Sequence, residues 1–66
     1  MNAVEQRNAF LSLSLTQRRL AHEYKRWAIQ DEAEGFAELY RRHKAEANRL
    51  WKSAKWNLQA ARRAAQ

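Results

Sequence analysis

The chain has no cysteine, no proline and one glycine, Gly35. Without cysteine it forms no disulfide, holds no thiolate-bound metal and has no thiol nucleophile. The lack of cysteine also fits a reducing compartment. With no proline and one glycine, little interrupts a helix, and the chain is built mostly from Ala, Glu, Lys, Arg, Gln and Leu. These are the strong helix formers, so the expected fold class is all-α. Long apolar runs are missing as well. The longest uncharged stretch is Asn8 to Gln17, between Arg7 and Arg18, whereas a spanning helix needs about 20 apolar residues. Glu5 and the serines of the apolar run argue against a signal peptide. The reading is a cytoplasmic protein that crosses no membrane.

Catalytic patterns are absent too. There is no glycine-rich phosphate loop and no nucleophile with a base at a usable spacing. Paired acids such as Glu32 and Glu34 are accounted for by their place at an expected helix start. We expect a non-enzyme with no cofactor and no small-molecule substrate. His43, with Glu46 three residues later, reverses the order used by four-helix di-metal proteins. No metal is expected there; His43 reads as a hydrogen-bonded histidine at a core edge. Helix-turn-helix, zinc-finger and basic-zipper patterns are missing as well.

What is present is charge and helical periodicity. Thirteen Lys and Arg face seven Asp and Glu, giving a net +6. Four acids and no base fall in residues 31–38, and eight bases with only Glu46 fall in 39–66. Helix-dipole matching explains part of this gradient. The rest points to an anionic partner.

At 100° per residue, Leu13, Leu20, Tyr24 and Trp27 share one face, with Ala28 at its edge. Phe36, Leu39, Tyr40, His43, Ala47, Leu50, Trp51, Ala54, Leu58, Ala61 and Ala65 share another. On one straight helix the two stripes would lie roughly 140° apart, so the chain must bend between them. Ser14 with Gln17, and Asp31 with Glu34, have capping-box form. Gly35 offers a competing left-handed stop. The expected layout is one helical domain over 1–66: a short helix or arm at 1–13, helix 1 at 14–30, a turn within 29–35, and helix 2 at 32–65. A short helix 1 would leave Leu50, Trp51, Ala54, Leu58 and Ala61 uncovered. A two-fold dimer forming a four-helix bundle would cover them. The expected core and dimer residues are Leu20, Tyr24, Trp27, Phe36, Leu39, Tyr40, His43, Leu50, Trp51 and Leu58.

Trp56 breaks the pattern. It lies about 160° from the centre of the helix 2 stripe, among Arg49, Lys52, Ser53, Gln59, Ala60 and Arg63. Either it packs on the N-terminal arm or a second subunit, or it anchors an external partner. With Arg41, Arg42, Lys55 and Arg62 these residues form a basic, Trp-bearing face. The leading expectation is a homodimer that docks this face on a larger cellular protein and modulates its activity. A nucleic-acid binder using the same residues, and a purely structural dimer, are the alternatives. Membrane-surface binding is the least favoured. His22, opposite the helix 1 stripe, is expected to be exposed.

Overall fold

The computed structural model describes residues 2–64, and they form two helices: α1, Ala3–Glu34, and α2, Ala37–Ala64. The expected end of helix 2 at residue 65, and Ala65 of its stripe, lie outside the described residues. The helices run antiparallel as a hairpin measuring 49 × 13 × 12 Å, close to the ~48 Å that 32 helical residues span at 1.5 Å each.

Residues 3–13 are not a separate arm or short helix. They are the first turns of α1, which Asn2 opens by accepting the Glu5 N–H on its side-chain oxygen at 2.9 Å. Ser14 and Gln17 therefore sit inside α1 and cap nothing. At the other end Gly35, with φ 83°, provides the left-handed stop. The Phe36 N–H reaches the Asp31 carbonyl at 2.8 Å, and the Gly35 N–H reaches the Glu32 carbonyl at 3.2 Å. This is the Schellman arrangement, which satisfies the last carbonyls of a helix. Asp31 and Glu34 consequently close α1; they do not open α2. The acid in the first turn of α2, Glu38, and the bases in its last, Arg62 and Arg63, complement its dipole.

The expected mismatch in length is also wrong. Because α1 is as long as α2, it covers α2 throughout, burying Leu50, Ala54 and Ala61 and half-burying Trp51 and Leu58. The α2 seam follows alternating steps of three and four: Tyr40, His43, Ala47, Leu50, Ala54, Asn57, Ala61, Ala64. The α1 seam is Phe10, Ser14, Gln17, Ala21, Tyr24, Ala28 and Asp31, every one buried or half-buried. Both are heptad seams. The α1 seam lies one position away from the expected stripe, so Leu13, Leu20 and Trp27 stay exposed beside it.

Side-chain size explains the shift. Ser14, Ala21 and Ala28 meet a seam carrying Ala47, Ala54 and Ala61, and small contact residues favour the near end of the ~8–10 Å range of helix separations. The seam's polar groups find partners across it. Ser14 Oγ donates to the Ala54 carbonyl at 2.7 Å, and Asn57 Nδ2 donates to Gln17 Oε1 at 2.7 Å. His43 Nδ1 and Asp31 Oδ2 share a hydrogen bond at 2.5 Å, with the Tyr24 and Trp27 rings against the imidazole. Among the described residues no buried side-chain polar atom lacks a partner. Among these residues the buried apolar core is six alanines and Leu50, and no large side chain is fully buried.

Candidate binding surface

The seam divides the hairpin's surface into two flanks. The first joins the α1 row Leu13, Leu20, Trp27 to the α2 rows Leu39, Glu46, Ser53, Ala60 and Arg42, Arg49, Trp56, Arg63. The edge-on pair of Phe10 with Trp56, 6.4 Å between centroids, and the Trp27–His43 contact bridge the helices there. The second flank joins Leu11, Leu15, Arg18, His22, Lys25 and Ile29 to Lys44, Asn48, Trp51, Lys55 and Leu58. His22 and Arg18, packed against the Trp51 ring, bridge that side.

Of the expected partner-binding residues, the structure lines up Arg42, Arg49, Trp56 and Arg63, each seven residues from the next. Trp56 is 59% exposed. Phe10 supports one edge of its ring, and the Arg63 guanidinium lies 5.9 Å from its centroid. Phe10 comes from the segment that the packing alternative invoked, yet most of the indole faces solvent. Lys52 and Gln59 are exposed within three or four residues of Trp56, on the outer surface of α2, whereas Ser53 is half-buried and Ala60 buried, because both lie in the row that borders the seam. Arg41, Lys55 and Arg62, one row at multiples of seven residues, fall beyond that outer surface, on the second flank, because the α1 seam turns that side of α2 away from Trp56.

Acids temper this line of bases. Arg42 donates to Glu38 at 3.0 Å, and Arg49 chelates Glu46 through two nitrogens. The hydrogen bond from Arg49 holds the Glu46 carboxyl below its usual range, and the same bond raises the Arg49 guanidinium. Glu34 continues the Leu13–Leu20–Trp27 row and Glu23 lies in the row beside it, so on the first flank Arg42, Arg49 and Arg63 are matched by Glu23, Glu34 and Glu46, with Lys52 beyond them on the outer surface of α2.

The expected core residues divide three ways. Leu50 is buried. Tyr24, Tyr40, His43, Trp51 and Leu58 are half-buried. Leu20, Trp27, Phe36 and Leu39 are exposed, at 39–50%. His22 is exposed, as expected, although it packs edge-on to Trp51. Among the described residues, no group of three or more potential metal ligands converges and no helix is long and apolar enough to cross a membrane. No protein-family model, curated protein or solved structure matches this chain.

Phe10, Arg18 and Lys25 belong to these surfaces, and no apolar stripe or basic face read from the sequence includes them. Their signal is the seven-residue recurrence of small residues at 14, 21, 28 and at 47, 54, 61, which fixes the seam and hence both flanks.

Proposed function

We propose that this protein is a non-enzymatic helical binding module that docks on a larger protein and modulates its activity, with Trp56 as the anchor. The observation that carries the reading is a tryptophan 59% exposed on α2, with Phe10 of α1 edge-on to its ring and the Arg63 guanidinium beside it. Trp and Arg dominate the energetics of protein interfaces, and a ring already held in its docking orientation loses little entropy on binding. Charge balance on this flank favours a protein over a nucleic acid, whose binding depends on neutralising phosphates.

The same reading has two copies of the chain packing through the turn half of this flank. Leu20, Trp27, Phe36 and Leu39 form an apolar surface there, while the chain's own core is alanine and one leucine. Trp27 packs at His43, thirteen residues from Trp56 on α2. That places the two surfaces about 20 Å apart at 1.5 Å per residue, so one surface can be covered while the other is free.

The test is to put a photo-cross-linking benzoyl-phenylalanine at position 56 and irradiate cells producing the protein. A cross-link to a larger protein supports the reading. A cross-link only to a second copy places Trp56 in the subunit contact and leaves the structural-dimer reading.

A further inference from the structure

The second flank differs in chemistry from the Trp56 flank. It carries Arg18, Lys25, Arg41, Lys44, Lys55 and Arg62 against a single acid, Glu32, so five of the six net positive charges of the chain lie on it. Between its bases run two hollows in series, of about 450 and 400 Å³, both lined by Trp51. The alanine seam makes the hollows: Ala21, Ala28, Ala47 and Ala54 form the floor and leave a recess where larger residues would fill it. Leu15 and Ile29, 59% and 60% exposed, stand along one wall. The Arg18 guanidinium and the Lys55 ammonium lie over the Trp51 ring at 5.7 and 5.6 Å. On the rim, Lys44 donates to the Tyr40 hydroxyl at 3.1 Å, a bond that raises the ammonium above its ordinary value.

We infer that this groove is the docking site of an acidic amphipathic α-helix on a partner protein. The guest's apolar stripe fills the hollows, and its Asp and Glu side chains meet the basic rim. Charge and shape together select this occupant. A second copy would bring six bases against six. A bilayer is flat and leaves two hollows empty. A nucleic acid satisfies the bases but leaves Leu15, Ile29 and the alanine floor uncovered. A guest helix lying in a groove is a common recognition mode that reads apolar residues at i, i+3, i+4 and i+7. From Leu11 to Glu32 the groove is about 30 Å long at 1.5 Å per residue, enough for a guest of about 20 residues. The inference does not depend on Trp56, because the two flanks share no exposed residue.

The probe is a labelled synthetic helix of about 21 residues, with Leu at every a and d position and Glu at every e and g. Its binding to the full chain is followed by fluorescence anisotropy, beside the same peptide with Gln replacing Glu. The Glu peptide should bind about tenfold tighter than the Gln peptide, with the advantage shrinking as salt rises. Arg18→Glu with Lys25→Glu should weaken it by about tenfold or more, whereas Arg42→Glu with Arg49→Glu, equal in net charge but on the other flank, should change it by less than about twofold. Leu15→Gln with Ile29→Gln tests the apolar wall and should weaken both peptides. All six positions are exposed, and circular dichroism of each variant checks that the helices persist. Equal losses from the two charge reversals, or equal binding of the two peptides, would overturn the inference. So would displacement of the bound peptide by a thymidine oligonucleotide or by phosphatidylserine vesicles at lower concentration.

Discussion

Ser14 on α1 and Ala54 on α2, forty residues apart in sequence, are joined by a buried hydrogen bond of 2.7 Å. The contact fixes the register of the hairpin: a serine that reads as a helix cap instead spends its hydroxyl on the facing backbone. It also shows why the seam holds small residues, since the hydroxyl reaches the opposite backbone only where the helices lie close.

Replacing Ser14 separates the hydrogen bond from the packing. Ser14→Ala keeps the volume and loses the bond, at an expected cost of about 1 kcal/mol. Ser14→Leu forces a large side chain into the seam and should cost about 1–3 kcal/mol more through overpacking. Urea unfolding of the two variants beside the parent checks both figures.

Gly35 stops α1 at φ 83°, and a Cβ placed there meets nothing within 4 Å. The penalty for a side chain is therefore purely conformational. Gly35→Ala should destabilise the hairpin by about 1–2 kcal/mol, the usual cost of a left-handed non-glycine residue. Gly35→Asn should cost less than Gly35→Ala, because asparagine tolerates this conformation better. The order of the thermal midpoints tests the turn assignment.

Leu50 and Trp27 should fail differently. Leu50 is the one large apolar side chain buried in the seam, so Leu50→Ala is expected to cost about 2–5 kcal/mol of folding stability. Leu50→Glu should unfold the hairpin itself, beyond any dissociation of a dimer. Trp27, 45% exposed, belongs to the proposed subunit contact. Trp27→Glu should keep the helical circular dichroism and halve the sedimenting mass. An unchanged mass for Trp27→Glu would remove the dimer from the account.

The Glu46–Arg49 pair makes a smaller, pH-dependent prediction. A carboxylate whose folded pKa is depressed stabilises the fold above its ordinary value, and the benefit is lost as pH falls through the folded one. The carboxyl of Glu46, held down by Arg49, should titrate by NMR below its ordinary value. In Arg49→Gln it should move back up.

Much of this architecture is legible in the sequence, for stated reasons. The lack of breakers gives the helices, the lone glycine is one of two stops the sequence offers for the first, and the large residues of the α2 stripe mark its buried side from Tyr40 onward, while Phe36 and Leu39 stay exposed. The α1 seam is hidden because its residues are small or polar. A wheel weighted by large apolar side chains selects Leu13, Leu20 and Trp27, whereas burial falls one residue later on Ser14, Ala21 and Ala28. Asp31 and Gln17 look like solvent residues until His43 and Asn57 are placed opposite them. The exposure of Trp56 follows from its position on α2 alone. The support from Phe10 does not, because it depends on α1 beginning at Ala3.

The measurement that tests the central claim most directly is the unfolding free energy and helix content of Trp56→Ala. If Trp56 is held for a partner, the variant loses only its ring contacts with Phe10 and Arg63. The expected cost is then about 0.5–1.5 kcal/mol with helix content unchanged. A loss of about 3–5 kcal/mol, the range for removing a core tryptophan, would make Trp56 a structural residue and contradict the account.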